Sequence, residues 1–309
     1  SYAGALAGRV LGTSDIKNVN IYGATIILGY YTGAVVGYMG NNTSLTYANV
    51  KASDSSYLQA RFIAGGLVAY NKGYINKSQV TGANESYYKG SPIIVGGLVG
   101  FNEQISNNKN SGTIKNSFNT LAVGNNKVQI TGGIVGVTIG GTIQNVIVDS
   151  KVIAQDRAGG VIGVVASGNI MNKVSKEKNT TDNKTIDDFG WFTKYEFESG
   201  TNFNLSNCSV YNVNPNSKTN DDKSRITANH AKAFIISVAN DLKNIKDLTS
   251  NCYVEDKTIN AVDYSKTSNI ENLGSDNGSL DDDNTMRKYE DFNTIDKGNI
   301  SLRFNLNSI

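Results

Sequence analysis

The sequence predicts an all-β fold: a right-handed parallel β-helix (solenoid) of about eight coils with irregular loops. Three observations predict it. A five-residue anchor of small and aliphatic residues recurs along the chain, an aliphatic–Asn element follows each anchor at a similar distance, and the composition suits short strands and turns. Of 309 residues, 32 are Gly, 16 Tyr and only 2 Pro, and 18% are charged. Such a mixture, with Asn throughout, disfavours long helices and favours strands joined by many corners.

The anchor reads Gly4-Ala5-Leu6-Ala7-Gly8, Gly33-Ala34-Val35-Val36-Gly37, Gly65-Gly66-Leu67-Val68-Ala69 and Gly96-Gly97-Leu98-Val99-Gly100, then Gly132-Gly133-Ile134-Val135-Gly136 and Gly159-Gly160-Val161-Ile162-Gly163. Successive second positions lie 27 to 36 residues apart, a spacing of one coil per repeat with loops absorbing the variation. Phe189-Gly190-Trp191-Phe192 and Lys232-Ala233-Phe234-Ile235-Ile236 continue the series and bring the expected count to eight. The polar stretch from Asn214 to Asn229 reads as an inserted loop, so the organisation is a solenoid over 1–275 with a loop around 214–229, and a C-terminal tail or cap over 276–309. Ser1 already stands inside a repeat, which suggests a piece of a longer protein.

About ten residues after each anchor come Ile16-Lys17-Asn18, Ile114-Lys115-Asn116, Ile143-Gln144-Asn145, Ile170-Met171-Asn172 and Leu205-Ser206-Asn207, with Leu45, Ile75 and Leu248 at the same place in other coils. Alternating segments such as Val146-Ile147-Val148 follow, giving two or three short strands per coil with Gly and Asn corners. A strand with one apolar face buries it only by stacking on an equivalent strand, so residues such as Leu98 and Ile134 form columns spaced by roughly 4.8 Å. Leu98 is preferred over Val99 as the inward column, and Trp191 is assigned to the core. The glycines at Gly97, Gly133 and Gly160 serve either positive φ or close backbone approach. Asn116 and Asn145 serve either an amide ladder or a left-handed turn.

Several function classes are set aside. Lys plus Arg number 29 against 27 Asp plus Glu, a net charge of +2, which lacks the footprint of nucleic-acid capture. No stretch approaches the roughly 18 apolar residues that span a bilayer, so no membrane insertion by this segment is expected. The glycine anchor is followed by aliphatic residues, unlike a phosphate loop. His230 is the sole histidine and Cys208 and Cys252 the only cysteines, so no catalytic, cofactor-binding or metal-binding residue is assigned and no cofactor is expected. Asp221-Asp222 and Asp281-Asp282-Asp283-Asn284 lack the spacing of a calcium loop and read as solvated. The sequon Asn179-Thr180-Thr181 is expected by chance.

An enzyme acting on acidic polysaccharides needs acids and bases stacked in one column, yet Asp149, Asp156 and Arg157 follow a coil offering Ala122, Asn125 and Asn126. An all-carboxylate site would have to join distant residues such as Asp149 and Asp182. Trp191, Phe192, Tyr195 and Phe197 form one aromatic group and Tyr87 with Tyr88 another. Tyr87, Tyr88 and Tyr195 are the expected surface contacts. Cys208 and Cys252 each follow Ser-Asn and should share a column, where a Cβ spacing of about 4.8 Å exceeds the mean of roughly 3.8 Å for disulfides, so two free thiols are expected.

Gly96-Gly97-Leu98-Val99-Gly100-Phe101-Asn102 followed by Gly112-Thr113-Ile114-Lys115-Asn116-Ser117 resembles the GLUG repeat of bacterial surface proteins, over about residues 1–175 with weaker continuation to about 275. Similar repeats occur in adhesin-like proteins and in the non-catalytic region of zinc metalloproteases that cleave immunoglobulin A1. The resemblance implies a β-helical fold and an extracellular or wall-attached protein. It carries over no catalytic residue, since the His-Glu-x-x-His motif of those proteases is missing from the sequence. The expected function is a non-catalytic stalk, spacer or host-contact surface with a host protein or glycan as partner. The alternatives are the scaffold domain of a larger secreted metalloprotease and, behind it, a polysaccharide-acting enzyme.

Overall fold

The computed structural model describes residues 1–23, 25–105 and 108–166, and the strand residues 203–210, 226–228, 230–232, 235–238, 249–250, 253–254 and 260–261. Every regular element among them is a β-strand, and the strands stack in parallel as a β-solenoid. One coil shows the plan. Ile94–Gly96 lies in an entry sheet, Val99–Glu103 in an anchor sheet, Thr113–Asn119 in an asparagine sheet and Val123–Gly124 in a short closing sheet, after which Ile130–Gly132 re-enters the first. Register is kept from coil to coil: Ile94 pairs with Ile63 and Ile130, Val99 with Val68 and Val135, and Ile114 with Ile75 and Ile143.

The anchor motif is a bend between two sheets. A Cβ on Gly96 would sit 1.8 Å from the Val99 carbonyl oxygen, and one on Gly97 would sit 1.9 Å from the Gly133 carbonyl oxygen of the next coil. Close approach therefore explains this glycine pair, and neither residue has positive φ. Because Leu98 stands at the bend, strict alternation does not apply. Leu98 and Val99 are both fully buried in the same central cluster, as are Ile134 and Val135, so the expected choice between the two columns is corrected: both point into one core.

A second apolar cluster fills the angle between entry and anchor sheets and was not foreseen. Along Ile94–Gly96, Val95 joins the central core while Ile94 joins the second cluster, with Ile63, Phe101, Ile130 and Val137. The fifth anchor position makes this contact. A Cβ on Gly136 would lie 2.4 Å from Ile94 Cγ2, so the residue must be small for the sheets to close. Both faces of the entry sheet are thus covered in the central coils, each large aliphatic adding about 1.5–3 kcal/mol by burial.

The chain to Ala166 makes about five turns, and the anchor sheet holds seven described strands, from Ala7–Val10 to Ile235–Val238. Among the described residues the coils are somewhat fewer than the eight expected. Ile162–Ala166 pairs directly with Ile235–Val238, and Gly141–Val148 directly with Phe203–Val210; the sequence also placed rungs at Phe189–Phe192 and at Ile170–Asn172. Those residues, Trp191 included, fall outside the described ones. The expected loop of 214–229 ends in a rung, since Ile226–Ala228 pairs with Val152–Ile153 and Asn260–Ala261. The rest of that loop, and 276–309, lie outside the described residues.

The expectation of free thiols is also corrected: Cys208, fully buried, is disulfide-bonded. The flanking pairs Ser206 with Ser250 and Ser209 with Tyr253 share the offset that separates Cys208 from Cys252 in the sequence, although Cys252 itself lies outside the described residues. The relevant yardstick is the Cα separation. Neighbouring strands at about 4.8 Å fall within the roughly 4.4–6.8 Å that disulfides span.

Candidate contact surface

The asparagine column performs both tasks that its residue type allows. Asn18, Asn116, Asn145 and Asn207 all adopt positive φ, between 51° and 57°, at the one residue of each strand that the ladder pairing skips. Their side chains also form a ladder: Asn116 Nδ2 donates to Asn76 Oδ1 at 2.8 Å, Asn145 Nδ2 to Asn116 Oδ1 at 2.8 Å and Asn207 Nδ2 to Asn145 Oδ1 at 3.0 Å. A second, buried ladder links Asn71, Asn102 and Thr138. These amides spend their hydrogen-bonding capacity on one another.

Tyr87 and Tyr88, expected at the surface, are buried at 1% and 3% exposure, which corrects that assignment. Strand Tyr88–Lys89 pairs with Leu58–Gln59, and this folds Tyr88 inward so that its hydroxyl donates to the carbonyl oxygens of Gly96 and Gly97 at 3.3 Å. Its ring meets Tyr87 edge-on at 5.2 Å. Burial pushes both phenol pKa values up. A tyrosine pair read from sequence has no directional signal unless the strand register is known. Tyr195 lies outside the described residues.

The residues weighed for catalysis are placed as follows. Asp156 pairs with Arg157 at 3.0 Å, while Asp149 is held through its backbone N–H to the Asn119 carbonyl oxygen. Asp182 lies outside the described residues. Among the described residues no group of three or more His, Cys, Asp or Glu gathers as metal ligands, and no helix is long and apolar enough to cross a membrane.

The surface that sequence reasoning missed lies on the outer face of the entry sheet in its first three coils. Period-two alternation exposes Ile26, Leu28 and Tyr30 on strand Ile26–Gly33, with Gln59 and Arg61 on Tyr57–Gly65, while Ile27, Leu58 and Ala60 turn inward. The register sets Leu28 beside Gln59, and Gln59 beside Lys89. A groove of 450 Å³ runs across these strands, lined by Leu28, Gly29, Gln59, Ala60, Arg61, Gly90 and Ser91. Arg61 is held over two rings, its Cζ 5.5 Å from the centre of Tyr30 and 5.6 Å from that of Phe62. Lys89 Nζ stands 3.9 Å from the centre of the Tyr57 ring. The described entry-sheet strands carry Arg and Lys and no carboxylate. The alternation Ile-Ile-Leu and Leu-Gln-Ala-Arg was the signal available, hidden because strand boundaries were not fixed.

No protein-family model matches the sequence, and no curated protein matches it at a significant level.

Proposed function

We propose that this chain is a non-catalytic segment of an extracellular bacterial surface protein, a stiff spacer that also presents a contact surface. The carrying observation is the register kept from coil to coil: the columns of Leu98, Val99 and Ile114 types repeat for about five turns. Polar side chains inside the stack bond to the next coil, which resists bending and slipping. At about 4.8 Å per rung the length of such a rod scales with the number of coils. The likeness of Gly96–Asn102 and Gly112–Ser117 to the GLUG repeat supports a secreted or wall-attached setting, and the groove beside Arg61 gives the rod a face for a host glycan or protein.

The test incubates the purified chain with anionic and neutral polysaccharides and with immunoglobulin A, with and without calcium or zinc, and follows fragments by mass spectrometry. Saturable binding or no interaction, without fragments, is expected. Reproducible cleavage abolished by a single Asp, Glu or Lys substitution overturns the reading.

A further inference from the structure

We infer that the groove on the outer entry sheet binds an acidic polysaccharide, with Arg61 taking a sulfate or carboxylate while Leu28 and Tyr30 pack against the sugar face. The inference rests on the contact-surface reading above and names its ligand class. Four features carry it. The floor is built from small residues, Gly29, Ala60 and Gly90, on three successive rungs, so it forms a trough about 10 Å across the stack. The side chains lining it supply donors: the guanidinium of Arg61, the amide of Gln59 and the hydroxyl of Ser91. No carboxylate lies within salt-bridge distance of Arg61 or Lys89 among the described residues. Arg61 is already oriented by Tyr30 and Phe62, so its planar fork is fixed before the anion arrives.

An apolar ligand would leave the Arg61 charge facing a dry surface, and a neutral glycan would leave it without a counter-charge. An acidic glycan meets both halves of the site: an anion faces Arg61, and its C–H faces cover Leu28, which is 57% exposed, and Tyr30, which is 41% exposed.

The test uses the full 309-residue chain and measures binding to heparin (sulfated), polygalacturonate (carboxylated) and dextran (neutral), with single-stranded DNA as a phosphate polymer. Saturable binding to heparin or polygalacturonate, weakened by salt and not shared by dextran, is expected; which of the two binds separates sulfate from carboxylate recognition. R61E should lose at least roughly tenfold in affinity, the scale of one charge-assisted contact, with an unchanged thermal midpoint. Q59E, on the opposite side of the groove, should lose affinity as well, and guards against a purely local fault in R61E. Equal affinity for single-stranded DNA, full binding by both variants, or no binding to either acidic glycan overturns the inference. Failure here leaves the spacer reading standing, whereas fragments of the bound glycan would overturn that reading and leave the groove.

Discussion

The first coil and the central coils carry the same pattern and meet different fates. Leu6 and Leu98 occupy one column, yet Leu6 is 53% exposed and Leu98 is 0% exposed. Ile16, Val19 and Ile21 only lean on the core, whereas Ile114, the counterpart of Ile16, is fully buried. Among the described residues, the exposed large apolar side chains all fall between Leu6 and Tyr30, those of Ile26, Leu28 and Tyr30 because they face outward from a strand paired on both sides. A residue in a solenoid column is buried by two neighbours, one on each side, and the first coil has a described neighbour on one side only. Its energetic value depends on position in the stack as much as on its own type.

Aspartate substitution should break the comparison most sharply. L98D, V99D and I134D each bury an unpaired charge in the central cluster and should cost about 4 kcal/mol or more, read as loss of the cooperative melt by circular dichroism. L6D should cost under about 1 kcal/mol. If V99D proved mild, the two columns would not share one core.

Alkaline titration probes the same coils without mutation. Burial raises the pKa of Tyr70, Tyr87 and Tyr88, and for Tyr70 the Glu103 carboxylate beside it adds to the effect. The unfolded chain ionises these phenols near pH 10, so their stabilising effect is complete below that pH and is lost as pH rises beyond it. By pH 11 each should withdraw about 1.4 kcal/mol, and tyrosinate absorbance should show a component that appears only with unfolding.

Glycine substitutions come next. G97A places a methyl group against the Gly133 carbonyl oxygen and should cost about 1–3 kcal/mol or more. G12A in the first coil meets nothing within 4 Å and suffers only from its φ of +75°, about 1 kcal/mol. Urea midpoints for the two variants give the ranking, which would have to reverse for the close-approach account to fail.

Smaller effects come from the asparagine column. N145A removes ladder bonds to Asn116 and from Asn207 and should cost about 1–2 kcal/mol. N18A, reached by no ladder bond among the described residues, should lose only the left-handed preference, a few tenths of a kcal/mol. Tyr47 stands in the same column with φ of 59°, a conformation that a tyrosine resists, so Y47N should stabilise by about 0.5 kcal/mol, a shift of a degree or two in the melt.

The sequence by itself determined the rung. Glycine pairs, aliphatic pairs and Asn recur at coil spacing because backbone crowding at Gly96 and Gly97, burial at Leu98 and Ile114, and positive φ at Asn116 are requirements of one coil and its immediate neighbour. Such requirements leave a periodic trace. Tertiary structure alone decided which stretches become rungs after Ala166, that Leu98 and Val99 share a core across a bend, that Tyr87 and Tyr88 turn inward, that Cys208 is bridged, and that Leu28, Gln59 and Arg61 line one groove. Each depends on the register between strands some 30 or more residues apart, and a one-residue change of register moves a side chain to the opposite face of its sheet.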